Sequence, residues 1–438
     1  LGCWDIAPMA VGWYNIFSGT SLATPLTAGT LALMLEASNK MLTPPQAKTL
    51  LMSTAKDISY NGLVQGAGRV DAYSAVVATK RLSNINIAGP VTVRVCSSET
   101  SNVLQSKLND AWIGQFAYNI PEYVGYWFTG EPIILPYNVP SFTPMETTSM
   151  FLGYLSPGTS KTFSFKVTNL NSKTGTLSNL RGITYNLVES KKFTGSTPTG
   201  GGAVWYVFEQ SEFSNIDLTR FTLNFNFKYF DYNFDYLRDN RLSLFVFEWI
   251  DLNENGNIEY NELIVINAAF AHGTTEETTV GNIQNRLHSP NSKIVARVYH
   301  TRYYGPSFSI PFELNVLKYS RAKDSSITFT TTSYSIGPGA SAKISGKLIV
   351  PSNAMSGVVE GLIAFDFKTS DGTITKYIPY SYMVVGKLGQ LTAKPSDERK
   401  LYDLGTVRGA MDWSWRAECG DWRAYSFKVQ SAKDYLLK

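Results

Sequence analysis

At 438 residues the chain exceeds what one hydrophobic core ordinarily holds, so several domains are expected. Its 39 basic and 35 acidic residues leave a net charge of only +4 with no basic run, which argues against nucleic acid as a partner. Charged residues are 17% where about 25% is usual, 25 Tyr and 24 Phe suit β-rich extracellular modules, and no apolar run approaches the roughly 18 residues of a membrane span.

The first 81 residues read as α/β. From Leu22 to Leu35 the only polar residues are Thr24, Thr27 and Thr30, so a helix here is apolar on all but one narrow stripe and is expected to be buried within a domain. "TPPQAKTLLMSTA" follows, with Thr43 as cap, Pro44 in the first turn and Gln46 completing a capping box. A glycine turn and an Asp71 cap then predict a third short helix.

Beyond about residue 82 the period changes to that of strands. Phe163, Phe165 and Val167 alternate with polar residues, and Phe221, Leu223, Phe225, Phe227 and Tyr229 do the same, which predicts antiparallel sandwiches. Turn-rich or charged stretches at 195–203, 319–326 and 392–400 suggest boundaries. The expected modules are 1–81 α/β, 82–200 β-sandwich, 201–320 a jelly-roll-like sandwich, 321–390 a further sandwich, and 391–438 the start of another β domain. The start at Leu1, with no charged-then-apolar leader, suggests a processed or partial chain. Cys3, Cys96 and Cys419 lack C-x-x-C spacing, so at most one disulfide and no zinc site is indicated.

Chemistry concentrates in "FSGTSLATPLTAG", residues 17–29. A serine at a helix N-terminus feels the positive end of the dipole, and its own N–H can donate to an oxyanion. Pro25 lacks an N–H and leaves the Ser21 carbonyl free, while Gly19 permits close approach or an unusual φ. Ala28 and Gly29 let neighbouring elements press on the helix.

Gly19, Thr20, Ser21, Ala23, Thr24, Pro25, Ala28 and Gly29 together resemble the serine motif of the subtilisin-like proteases, G-T-S-x-A-[ST]-P-x-x-A-G. "WDIAPMA" upstream and "GAGRVDAYSAV" downstream extend the resemblance over roughly residues 3–78. Leu22 and Leu26 stand where the family commonly has Met and His. The resemblance implies the C-terminal part of a subtilisin-like α/β catalytic domain, with Ser21 as nucleophile and Gly19, Thr20 and Pro25 supporting the oxyanion and motif geometry. It also implies hydrolysis of protein or peptide substrates through an acyl-enzyme. The triad Asp and His of this family lie upstream of the serine segment, and only twenty residues precede Ser21, none of them histidine. His272, His288 and His300 lie in the β region, so an upstream segment or chain is expected to supply Asp and His.

"DLNENGNIEYNE", residues 251–262, fits the calcium loop D-x-[DN]-x-[DN]-G-x5-E. Asp251, Asn253 and Asn255 would give side-chain oxygens, Asn257 its carbonyl, Glu259 a direct or water-mediated contact and Glu262 two oxygens, around the turn at Gly256. Strand-like flanks predict a structural Ca2+ pinning a hairpin, not an opening helix pair. "VPSNAMSGVVEGLIAFDF" (350–367) resembles the fibronectin-type-III-like modules of large cell-envelope subtilases, and the whole arrangement resembles the pyrolysin-like branch with its archaeal surface proteases. That resemblance implies an extracellular or cell-surface serine endopeptidase, with a cell-surface or surface-layer partner. The alternative expectation is a non-catalytic surface-layer or adhesive scaffold that retains a remnant of a protease fold.

Overall fold

The computed structural model describes residues 3–10, 13–110, 146–232, 239–270, 274–303, 306, 308–387 and 424–426. Six helices are described: α1 (Thr20–Ala37), α2 (Pro44–Thr54), α3 (Gly62–Gln65), α4 (Ala72–Arg81), α5 (Glu99–Asp110) and α6 (Phe227–Phe230). A hairpin of β1 (Cys3–Ala10) and β2 (Trp13–Gly19) precedes them. The caps form as the sequence dictates. The Gln46 N–H donates to Thr43 Oγ1 and the Thr43 N–H to Gln46 Oε1, while Asp71 accepts from the backbone and hydroxyl of Ser74. Met34, Leu42, Leu50, Ala75 and Ala78 then close a small helical core onto Leu170.

The rest is β-rich. In chain order the strands are β3 (Val93–Cys96), β4 (Met150–Leu155), β5 (Ser160–Asn169), β6 (Gly175–Ser196), β7 (Gly202–Phe208), β8 (Leu218–Phe225), β9 (Asn240–Trp249) and β10 (Leu263–Ala269). Then come β11 (Thr275–Gly281), β12 (Lys293–Arg302), β13 (Pro311–Asp324), β14 (Ile327–Phe329), β15 (Tyr334–Ile336), β16 (Ser341–Ile349), β17 (Gly357–Thr369), β18 (Gly372–Lys387) and β19 (Ala424–Ser426).

These strands enclose two main cores. In the first, the sheet β14-β16-β5-β3 buries Phe163, Phe165, Val167 and Ile344 against Leu177, Phe365, Phe367 and Ile378 of β6, β17 and β18. Phe165 and Phe365 stack at 6.3 Å across this core. In the second, the sheet β10-β9-β12-β7 packs Leu242, Leu244, Val246 and Val298 against Phe221, Leu223, Leu314 and Val316 of β8 and β13. Strand β6 serves both cores. Its first half pairs with β17 and its later part with β13, whose own partner on the other side is β8.

Segments 82–200 and 321–390 therefore contribute to one core where separate modules were expected. The reason is that both layers interleave strands of the two segments: β5 lies between β3 and β16, β6 pairs with β17, and Phe163 and Phe165 share their core with Phe365 and Phe367 some two hundred residues on. Strand period also ends earlier than the alternation implied. The chain leaves β8 after Phe225, and Phe227–Phe230 forms α6, because Asn226 accepts the Lys228 N–H on its side chain and the Tyr229 N–H on its carbonyl. The expected last module, 391–438, lies outside the described residues except for β19, which runs parallel to β18. Among the described residues no helix is long and apolar enough to cross a membrane.

The helical region is fastened to the sheets by charge and not by apolar area alone. The Arg321 guanidinium on β13 donates to both Asp57 oxygens at 2.7 and 2.8 Å, and its Nε donates to Tyr185 Oη at 2.9 Å. Tyr185 Oη lies within hydrogen-bond distance of the Ser59 and Tyr60 carbonyls. Glu360 on β17 accepts from the Asn61 side chain and the Leu63 N–H. Backbones close to contact here: a Cβ at Gly281 would lie 2.6 Å from the Ile58 carbonyl oxygen.

Candidate functional site

Ser21 is the second residue of α1, exposed, directly after Gly19 as N-cap and Thr20. Its hydroxyl makes no hydrogen bond with another described residue, so nothing described holds the Oγ back from a ligand. Gly19 has an extended backbone, φ 167°, that any residue can adopt, and its added Cβ would meet nothing nearer than 3.9 Å. Its small size matters here only for what approaches from outside. Pro25 sits inside the helix and leaves the Ser21 carbonyl without its i+4 donor, while the Thr24 hydroxyl donates to the Thr20 carbonyl at 2.9 Å. Thr27 and Thr30 repeat that bond one turn apart, to Ala23 and Leu26.

The apolar helix is not enclosed by the described residues. Only Thr30 and Met34 are buried, and Leu26, Leu33 and Leu35 are 50, 52 and 41% exposed. Packing on α4 and α2 covers one stripe and the β1–β2 hairpin lies close to the helix as well, but at Gly29 an added Cβ would find nothing within 4 Å. The expected pressure of neighbours on Ala28 and Gly29 is thus absent among the described residues.

Two of the three histidines are placed, and both are engaged within the second sandwich. His300 is buried between Thr197 Oγ1 at 3.1 Å and Asn240 Oδ1 at 2.9 Å, and burial lowers its pKa below the ordinary value. His288 Nδ1 lies 2.6 Å from Glu248 Oε2, and Glu248 Oε1 accepts the N–H groups of His288 and Ser289. Burial alone would raise the Glu248 carboxyl, but hydrogen bonds from His288, Ser292 and these amides outweigh it and hold it below the usual range. Glu248→Gln removes that preference for the anion and the bond to His288. It is expected to destabilise the protein at neutral pH, with the difference from the parent fading as pH falls through the lowered Glu248 pKa; pH-resolved urea unfolding reads it. His272 and Cys419 lie outside the described residues, and Cys96 is free and buried, its thiol pushed up to about 11 by burial.

The segment 251–262 joins β9 to β10, which pair antiparallel. Asp251 accepts the N–H groups of Asn255 and Gly256, Asn253 accepts that of Asn255, and Asn255 accepts that of Asn257. Glu254 and Gly256 turn the chain with φ of 56° and 72°. Glu262 is buried, taking the Trp249 Nε1–H at 3.1 Å and the Leu252 N–H at 3.0 Å, and Glu259 accepts the Asn255 side-chain amide at 3.0 Å. Among the described residues no three acidic, His or Cys side chains converge as they would around a metal. The donor set is nonetheless all oxygen, and each carboxylate keeps lone pairs beyond those engaged, which fits a hard cation such as Ca2+ and no soft one.

Residues 4–70 match the family model "Subtilase family". Halolysin of Haloferax mediterranei is 42% identical over 76 residues, a match that covers 17% of this chain and 14% of that protein. Among solved structures, a family 123 glycoside hydrolase from Clostridium perfringens has a TM-score of 0.18 at 8% identity, over 68% of this chain and 27% of its own. A structure of infectious bursal disease virus, Gt strain, has 0.15 at 9% identity, over 72 and 67%. Scores this low bear on neither fold nor function. The sequence match and the serine motif fall on the same residues, and residues 4–70 are therefore where this chain is similar to the subtilisin-like proteases.

Proposed function

We propose that the chain is the serine-bearing part of a subtilisin-like endopeptidase, in which Ser21 attacks a peptide carbonyl and forms an acyl-enzyme. The single observation that carries this reading is the unbroken Gly19-Thr20-Ser21-x-Ala23-Thr24-Pro25 motif inside the stretch that matches the subtilase family. In this mechanism the free Ser21 hydroxyl at the start of α1 is the nucleophile, its N–H faces the developing oxyanion, and the helix dipole favours that charge. Asp and His come from sequence outside these residues, and they take and return the proton. Gly19 leaves room for the scissile segment. The β-rich region, part of it related to fibronectin-type-III-like modules, carries the protease at an extracellular or cell surface of archaeal type, where a surface-layer partner and peptide substrates meet it.

A fluorophosphonate probe tests the reading on the protein with its upstream segment attached. An adduct mapped to Ser21 is expected; intact protein that takes up no probe would turn the assignment to a surface scaffold with an inert serine.

The loop 251–262 is read as a structural Ca2+ site, with Asp251, Asn253, Asn255, Asn257, Glu259 and Glu262 as its oxygen donors. Two Asn at acidic positions suit sites of about 10⁻⁴ to 10⁻³ M, the extracellular range. At a calcium concentration about 100 times Kd, binding adds about 2.7 kcal/mol to stability. Asp251→Ala should forfeit that increment, so its unfolding midpoint falls well below the parent's in calcium and by much less in chelator. Equal losses in both buffers would remove calcium from the loop.

A further inference from the structure

The second sandwich carries a feature that proteolysis does not use. Its sheet β10-β9-β12-β7 turns one face to the core through Leu242, Leu244, Val246, Ala296 and Val298. The intervening residues form the other face, and the outer face of an antiparallel sheet is ordinarily polar. Here it carries Trp205, Phe245, Tyr299 and the buried Phe247, extended by Tyr260 and Phe270 from the ends of β10. The rings form a continuous row. Trp205 lies 6.4 Å from Phe247, Phe247 stacks on Phe245 at 5.8 Å, and Phe245 on Phe270 at 6.2 Å. Tyr260 and Phe270 are 68 and 45% exposed.

Arg297 stands at the centre of this row. Trp205 and Phe245 are its direct cross-strand neighbours, and Tyr299 follows it on the same face. Its guanidinium lies 4.2 Å from the Tyr299 ring centroid, 5.2 Å from those of Trp205 and Tyr260, and 5.6 Å from that of Phe245. Arg297 is 8% exposed, and its buried Nε–H has no hydrogen-bond partner among the described residues. No described carboxylate pairs with it either; the nearest contrast is Arg321, buried likewise but gripped by Asp57. Four rings compensate the charge in part, but rings accept no directed hydrogen bonds from a five-donor fork. A buried donor left unsatisfied opposes folding, and a ligand oxygen that reaches it removes that cost.

We infer that this face binds an acidic saccharide, with the carboxylate of a uronic acid unit on the Arg297 guanidinium and the sugar ring stacked on the aromatic row beside Tyr260. The charge that is missing around Arg297 is a negative one, and planar oxyanions match the guanidinium fork. A pyranose lays its C–H face on a ring and keeps its hydroxyls at the rim in water. A peptide laid over the same rings would lose solvation of its N–H and C=O groups with no backbone donors or acceptors opposite them, since the sheet's own lie in its plane and not out of this face. The inference goes beyond the protease reading and does not depend on Ser21.

Calorimetric titration of the full protein in calcium with a hexamer of galacturonic acid tests it, against a neutral galactose oligomer of similar length and poly-glutamate. The acidic hexamer is expected to bind at least tenfold more tightly than either control, and Arg297→Gln to lose at least tenfold for it. Tyr260→Ala, an exposed change with little reach into the core, should weaken it several-fold with the unfolding midpoint kept; this variant decides the matter if Arg297→Gln fails to fold. Equal binding of acidic and neutral oligomers, no binding of the hexamer, or poly-glutamate binding as tightly would each overturn the assignment.

Discussion

Replacing Ser21 by alanine is expected to lower kcat for peptide hydrolysis by on the order of 10⁶, the scale on which loss of the nucleophile acts in subtilisin, while leaving stability unchanged or slightly raised. The two halves of that expectation rest on different observations. The kinetic half follows from the motif, because no other described hydroxyl occupies its position at the N-terminus of α1 with a free carbonyl and a free Oγ. The thermodynamic half follows from exposure: Ser21 makes no side-chain hydrogen bond with a described residue and lies within a helix, where alanine is the better former by a few tenths of a kcal/mol. Steady-state hydrolysis and thermal unfolding of the parent and variant, both with the upstream segment, separate chemistry from folding. Retained turnover in a folded Ser21→Ala protein would end the nucleophile assignment. A residual rate some 10³ to 10⁴ above the uncatalysed reaction would not, since the oxyanion donors and substrate binding survive the change.

What the sequence disclosed and what it withheld divide along the distance over which each feature is determined. Thr43 with Gln46, and Asp71 with Ser74, are local contracts between residues three apart, and both helices start where those caps put them. The alternation of Phe163, Phe165 and Val167 likewise fixed which side of β5 is buried. The subtilase resemblance around Ser21 was legible because its motif is contiguous. The sharing of one core by segments 82–200 and 321–390 was not, because it depends on β6 meeting β17 across some 180 residues, and both strands carry ordinary period-2 patterns that any sheet would satisfy. The alternation through Phe227 and Tyr229 misled for a related reason: one Asn226 side chain outweighs a pattern in apolar residues by offering the backbone a turn. Arg297 was invisible for the opposite cause. Its charge predicts solvent, and only the pairing of β7, β12 and β9 surrounds it with rings.

The contact between Arg321 and Asp57 is of the same long-range kind, and it carries the second large effect. Asp57 follows α2 in the helical region; Arg321 lies on β13, which spans the junction of the two sandwiches. The pair is bidentate, 13 and 18% exposed at the side chains, and Tyr185 and Tyr377 flank the guanidinium at 5.7 and 4.8 Å. Burial works against the Arg321 charge, but the bonds to Asp57 and Tyr185 outweigh it and raise its pKa, so the cation persists at every pH the protein meets. Burial also pushes the Tyr185 hydroxyl up to about 12, which keeps it neutral and able both to accept from Arg321 and to donate to a backbone carbonyl of residues 59–60. Arg321→Met keeps much of the apolar stem yet strands Asp57 as an unpaired carboxylate, and should cost about 3 kcal/mol in urea unfolding. The loss should appear first as faster hydrogen exchange at residues 56–65, the stretch that Asp57, Tyr185 and Glu360 tie down. Asp57→Asn combined with Arg321→Met removes the stranded charge and is expected to recover part of the deficit, leaving the double variant more stable than Arg321→Met alone. A single variant that loses less than about 1 kcal/mol, with exchange at 56–65 unchanged, would mean that apolar packing alone joins the serine segment to the sandwiches.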